Sequence, residues 1–134
     1  MKVVFMGTPD FAVLSLKALL DNGYEVPLVV TQPDKPKGRG HKMAFPPVKE
    51  FSLANNIPVF QPDSLKEEET QKILKMHQAD VFVVVAYGKI LPESVLSMPK
   101  HGCINVHASL LPKYRGAAPI QWSIVDGQAV TGVT

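Results

Sequence analysis

The run Val81-Phe82-Val83-Val84-Val85-Ala86 constrains this chain more than any other stretch. It is the most apolar segment present, and it shows none of the polar–apolar alternation of a strand with one wet face. A strand buried on both faces fits it, and such strands lie at the centre of parallel sheets covered by helices. The flanking segments agree. Lys2–Met6 is a short apolar run closed by Gly7, which reads as a second buried strand. Thr8 is the expected N-cap of the helix that follows, with Pro9 at its first position. Ala12, Leu16, Leu19 and Leu20 recur at helical spacing, and Gly23 is placed to end that helix.

Strands and helices continue to alternate. Val26–Thr31 reads as a strand and Asp34–His41 as a polar loop. Pro47–Asn55 reads as a helix and Ile57–Phe60 as a short strand. Ser64-Leu65-Lys66-Glu67 has the form of a capping box at the head of a helix reaching about His77. Cys103–His107 is expected as a strand, Pro119–Val125 as a helix closed by Gly127, and Val130–Thr134 as a strand just beginning. The twelve prolines mostly punctuate these runs. The pattern predicts an α/β fold: a Rossmann-like, open, mainly parallel sheet with right-handed crossovers and helices on both faces. There is no internal repeat and no linker composition, so residues 1–134 read as one domain.

Composition adds limits. The 134 residues are 46% hydrophobic and 19% charged, which fits a globular chain rather than a disordered one. A formal net charge of +2 supplies no global field for nucleic acid, so any such partner must be met by local clustering. The lone cysteine, Cys103, forbids an intramolecular disulfide and suits a reducing compartment. No run resembles a signal peptide or a membrane span, and a cytoplasmic location is the expectation.

In an open α/β sheet, ligands bind beyond the carboxyl ends of the strands. Gly7–Asp10, Gln32–His41, Tyr87–Leu91 and Asn105–Pro112 all fall there. Asn105 and His107 are two apart on an expected strand, so their side chains share a face. An amide can donate to a developing oxyanion, and an imidazole can move a proton or stabilise charge. Asn-x-His alone is a weak signal; the polar groups could simply cap a sheet.

The sequence that follows is more specific: Ser109-Leu110-Leu111-Pro112-Lys113-Tyr114-Arg115-Gly116-Ala117-Ala118-Pro119. Asn-x-His joined to Ser-Leu-Leu-Pro-x-x-Arg-Gly-x-x-Pro resembles the formyltransferase family that uses 10-formyltetrahydrofolate. The resemblance implies that Asn105 and His107 are catalytic and flank the formyl carbon. It implies that Ser109, Leu110, Leu111 and Pro112 help to hold the folate. Ala86-Tyr87-Gly88-Lys89-Ile90-Leu91-Pro92 resembles the family loop around the pterin ring, which makes Tyr87, Gly88, Ile90 and Leu91 cofactor-binding. On the residues alone, Tyr87 and Ile90 would be ordinary packing at a strand end.

Two further stretches, Gly7-Thr8-Pro9-Asp10-Phe11-Ala12 and Thr31-Gln32-Pro33-Asp34-Lys35-Pro36-Lys37-Gly38-Arg39-Gly40, are similar to the methionyl-tRNA branch of that family. There the second stretch belongs to a loop that meets the acceptor arm of tRNA. Lys35, Lys37, Arg39 and Lys42 are then expected to contact initiator methionyl-tRNA, as clustered cations near glycines can. A solvated basic loop is the plain alternative.

Other clusters weigh less. His101, Cys103, Asn105 and His107 could share a strand face, but no paired-ligand motif accompanies them and no metal is expected. Cys103 reads as a small buried hydrophobe, His41 and His77 as surface residues, and Trp122 as core. Glu67–Glu69 complements a helix dipole. The family completes its catalytic set with an aspartate near a Leu-Asp-Thr-Gly stretch and carries a C-terminal tRNA-binding domain. Neither is found in residues 1–134, and Asp126 does not match the motif. The chain is therefore expected to be a C-terminally truncated formyltransferase fold, inactive alone, with an exposed sheet edge. The rival readings are a formyltransferase acting on an amino sugar nucleotide, and a non-catalytic RNA-binding module. A glycinamide ribonucleotide enzyme is disfavoured because Gly7–Asp10 offers no phosphate cradle. A dinucleotide-binding half-domain is disfavoured because no Gly-x-Gly-x-x-Gly follows the first strand.

Overall fold

The structure is a computed structural model that describes residues 1–40 and 42–134, and the side chain of Lys37 lies outside the described residues. In order, the elements are β1 (Lys2–Gly7), α1 (Asp10–Asp21), β2 (Glu25–Val30), β3 (Lys35–Lys37), β4 (Lys42–Ala44), α2 (Pro47–Ala54) and β5 (Val59–Phe60). There follow α3 (Glu68–Met76), β6 (Val81–Val85), α4 (Glu93–Leu96), β7 (Cys103–Val106) and α5 (Pro119–Val125). They fall into two compact units, residues 1–104 and residues 105–134.

The first unit is built on a sheet of strand order β5-β2-β1-β6-β7, to which β7 contributes its first residues. β1 pairs in parallel with β2 and with β6, and β2 with β5. The chain steps from β1 outward to β2 and β5, then returns across β1 to β6. The order, with crossovers running in two opposite directions from β1, is that of an open, mainly parallel sheet, as the alternation predicts. All five residues of β6 are buried, which is the two-sided burial its sequence demands.

Side-chain alternation divides that burial. Val4, Met6, Leu28, Val30, Phe82 and Val84 form one core with Leu74 of α3 and Val95 of α4. Ala12 and Leu16, four apart on α1, are fully buried, as is Val48 of α2. Burying a leucine or valine side chain such as Leu16 or Val48 stabilises the fold by about 1.5–3 kcal/mol. Helix α1 ends as its sequence indicates: Gly23 has φ +78, its N–H donates to Leu20 O, and the Tyr24 N–H donates to Leu19 O. That is the bond pattern of a glycine-closed helix.

Four local expectations need correction. Thr8 does not cap α1: Pro9 takes the capping position, and the Thr8 hydroxyl is spent on Tyr87 O, 2.9 Å away. Ser64 does not cap α3 either. Its Oγ accepts the Lys66 N–H at 3.1 Å, closing a turn before the helix opens at Glu68. The stretch read as a polar loop holds an antiparallel hairpin, with Lys35 opposite Ala44 and Lys37 opposite Lys42. Proline at position 36 is tolerated because a two-stranded ribbon is all edge. His77 is half-buried, its Nδ1 lying 2.8 Å from Ile73 O. The expectation for His41 falls outside the described residues.

The second unit contains α5, closed through Gly127 in the same manner as α1. Val130–Thr134 forms no strand. Thr134 and His107 nevertheless exchange two main-chain hydrogen bonds, at 2.7 and 2.8 Å, as one antiparallel pair does. Trp122 is not core: it is 55% exposed on α5.

Candidate active site

The candidate residues divide between the two units. In the first unit, the carboxyl ends of β1, β2 and β6 converge on Thr8. Its hydroxyl donates to Tyr87 O and accepts the Gln32 N–H at 3.3 Å, and its carbonyl accepts the Val48 N–H at 3.2 Å. One small polar residue thus joins the ends of three strands to α2. Its Thr-Pro-Asp setting suggested a helix cap, and nothing local could reveal partners so distant in sequence.

Beyond β6 the loop expected to hold the folate is shaped by its backbone. Ala86 and Gly88 have positive φ, +48 and +93, so the chain turns sharply on leaving the strand. At φ +93 any L side chain at position 88 would be strained, so the backbone there favours glycine, and the Gln32 amide packs 2.8 Å from where a Cβ would stand. Tyr87 directs its ring into the core and is 2% exposed. Its hydroxyl meets no protein partner among the described residues, and burial pushes its pKa up to about 12. Tyr87 can therefore serve a ligand through its main chain and not through its ring. Ile90 behaves oppositely: 94% of its surface is exposed. Leu91 packs against the core beneath. The Lys89 ammonium donates to the carbonyls of Pro62 and Asp63, fastening the loop to the segment after β5.

The basic cluster lies on the hairpin. Lys35, Arg39 and Lys42 are exposed, Lys35 on β3 and Lys42 on β4, with Arg39 in the turn. Sequence reading missed the polar group at the hairpin's neck: Asp34, Lys49 and Gln61, joined by hydrogen bonds of 2.8–3.1 Å.

In the second unit, Asn105 is exposed on β7 and His107 is half-buried just past its end. Ser109, expected to touch folate, is fully buried and faces His107. The Ser109 hydroxyl donates to Lys113 O at 2.7 Å, so its proton is committed. His107 Nδ1, 2.9 Å from that oxygen, must then be the donor of their bond. Nε2 lies 3.1 Å from Gly116 O, a contact that also requires an N–H. Thr134 braces the same turn, donating to Ser109 O at 2.7 Å and accepting the Leu111 N–H at 3.0 Å. Leu110, Leu111 and Pro112 are exposed. Asp126 accepts the Tyr114 hydroxyl at 3.0 Å. An amide, an oriented imidazole and nearby apolar side chains make a set suited to acyl transfer.

Among the described residues, no cluster of three or more His, Cys, Asp or Glu could hold a metal, and no helix is long and apolar enough to cross a membrane. Cys103 is partly buried, and burial pushes its thiol pKa up.

A family model described as formyl transferase matches residues 1–134. The chain is 59% identical to the methionyl-tRNA formyltransferase of Agathobacter rectalis over 134 residues, which is all of this chain and 43% of that protein. It is 60% identical, with the same coverage, to the enzyme of that name from Pelotomaculum thermopropionicum. The chain thus spans less than half the length of these curated relatives. Among solved structures, phosphoribosylglycinamide formyltransferase from Bacillus halodurans superposes with a TM-score of 0.76 at 24% identity, over 100% of this chain and 70% of that one. A sugar N-formyltransferase from a Shewanella species gives 0.62 at 17% identity, over 100% and 49%. Those two likenesses speak for the fold. Matched from its first residue to its last, this chain belongs to the formyl transferase family.

Proposed function

We propose that this chain is the N-terminal catalytic part of an enzyme that transfers a formyl group from 10-formyltetrahydrofolate to the α-amino group of initiator methionyl-tRNA. The setting is the cytoplasm, at the start of translation. One observation carries the reading: identity of 59–60% along the entire chain with curated methionyl-tRNA formyltransferases.

The chemistry assigns work to each group. A free α-amine has a pKa of about 8, so a usable neutral fraction exists near neutrality. Its nitrogen attacks the formyl carbon, a C–N bond forms, and the carbonyl oxygen gains negative charge. Asn105 donates an N–H to that oxygen. His107, its ring oriented by Ser109, stabilises the same charge or relays a proton. Collapse breaks the bond between the formyl carbon and the folate nitrogen. The amine's proton ends on that nitrogen, and tetrahydrofolate leaves. Positioning and oxyanion stabilisation supply most of the acceleration.

The folate is received by main-chain groups of Tyr87 and Gly88, by the apolar side chains of Ile90 and Leu91, and by the Ser109-Leu110-Leu111-Pro112 turn. The exposure of Ile90 supports this, since a flat heteroaromatic ring is best met by an apolar surface rimmed with backbone donors. Lys35, Lys37, Arg39 and Lys42 receive the acceptor arm. The family's aspartate has no counterpart in residues 1–134, and in this proposal a longer chain supplies it together with a further tRNA-binding domain.

The test supplies donor labelled in its formyl group, with charged initiator methionyl-tRNA and an amino sugar nucleotide in competition. It uses this chain and a full-length form side by side. Label on the tRNA with the full-length form, and none with residues 1–134, is the expected result. Label on the sugar would reassign the acceptor. No label from a folded full-length form would favour an RNA-binding module.

A further inference from the structure

We infer that Asp34, Lys49 and Gln61 form a latch that sets the stance of the β3–β4 hairpin, and that Lys49 is a positioning residue for the RNA acceptor rather than a phosphate contact. Asp34 is the last residue before β3, and Phe45 the first after β4. Lys49 reaches both. Its ammonium lies 2.8 and 3.1 Å from the two carboxylate oxygens of Asp34 and 3.7 Å from the centre of the Phe45 ring. It also donates to Gln61 Oε1 at 2.8 Å. Entry and exit of the hairpin therefore meet at one cation on α2.

The donor inventory closes. An ammonium has three N–H groups, and three protein oxygens accept them. An ammonium can only donate, which fixes the orientation of the Gln61 amide. Its nitrogen then donates to Asp34 Oδ1 at 2.8 Å and to Gln32 O at 3.0 Å, tying the group back to the end of β2. The Lys49 and Asp34 side chains are only 14% and 21% exposed. Lys35, Arg39 and Lys42, by contrast, stand free in solvent on the hairpin itself. Lys49 adjoins the basic cluster in sequence, yet no donor is left on it for a phosphate. A bond network at the neck has one mechanical effect: it limits how the hairpin can swing about residues 34 and 45. Cations that must meet phosphates at fixed spacing gain from such pre-orientation.

The functional half of this inference rests on the acceptor proposed above. A sign reversal separates a latch from simple charge. Asp34 is an acid beside a basic hairpin, so on electrostatics alone Asp34→Asn should tighten RNA binding. A latch predicts the opposite. In the full-length protein, Asp34→Asn should weaken charged-tRNA binding roughly tenfold or more. It should raise KM for tRNA while leaving KM for the formyl donor unchanged. Amides of residues 35–44 should exchange with solvent faster, while those of β1 and β6 keep their wild-type rates. Lys49→Met, which keeps the aliphatic stem against Phe45, should give the same pattern. Tighter tRNA binding by Asp34→Asn, or hairpin exchange unchanged in both variants, overturns the latch. Should the wild-type protein bind no charged tRNA, the acceptor reading fails, and hairpin exchange alone decides the latch.

Discussion

Each of the two units is held together internally by a different force. In residues 1–104 the fully buried residues are overwhelmingly aliphatic or aromatic, with β1, β2 and β6 at their centre. In residues 105–134 the buried residues are two serines, Ser109 and Ser123. The first unit stands on burial of apolar surface. The second stands on directed polar contacts: Ser109 to Lys113, Thr134 to Ser109 and Leu111, and Thr134 to His107. A hydrophobic core tolerates rearrangement outside it, whereas a hydrogen-bonded turn fixes angles. Within the second unit, that directionality suits a turn that orients the imidazole of His107.

The largest effect that could break this contrast is on rate. His107→Ala should lower turnover of the full-length protein by about 10²–10⁴-fold, and Asn105→Ala by about 10²–10³-fold. Both should leave the thermal midpoint within a few degrees of wild type. A collapse in stability with residual activity would mean these side chains build the unit rather than serve chemistry. Next comes stability itself. Phe82→Ala, in the sheet core, should cost about 3–5 kcal/mol in denaturant titration. Ile124→Ala, at a position 73% exposed, should stay within about 0.5 kcal/mol. Equal costs would erase the distinction.

A subtler test concerns Ser109. Ser109→Ala strands the Lys113 carbonyl and frees Nδ1 of His107, which should cost about 1–3 kcal/mol. It should reduce kcat more than KM for either substrate, and Ser109→Thr should restore part of the loss. A purely folate-binding Ser109 would instead move the donor's KM. The smallest effect lies in acid. Asp80 accepts the Lys2 N–H at 2.7 Å, and that bond above all holds its carboxyl below the ordinary range. Its contribution is fully present above the unfolded value of about 3.9 and is lost as pH falls through the lower folded value. Wild type should therefore lead Asp80→Asn in stability at pH 6, and the two should converge near pH 2. A constant gap across that range would rule out this linkage.

What the sequence disclosed, and what it withheld, follows the same physics. Strands β1, β2 and β6 were legible because a buried parallel strand writes its environment into consecutive residues. The ends of α1 and α5 were legible because glycine at a left-handed position is a local signal. The hairpin was hidden because lysine, proline and glycine are the composition of a loop, and its pairing is a property of two segments together. Thr8 looked like a cap and proved to be a junction. Its partners, Tyr87 and Gln32, are far along the chain, where no local rule reaches. In the candidate site, residue types and spacing pointed to Asn105 and His107. That Ser109 faces the imidazole and that Tyr87 turns its ring inward are properties of the folded chain, written in no local pattern.

Trp122 has a consequence for anyone who studies this molecule in a cuvette. It is the sole tryptophan, and it sits half in water on α5. Intrinsic emission excited at long wavelength therefore reports on the surroundings of α5, while far-ultraviolet dichroism follows the backbone of the whole chain. Where two optical probes watch different extents of the chain, coincident curves become a genuine test of cooperativity. A single emission midpoint would be a reading taken at α5 alone.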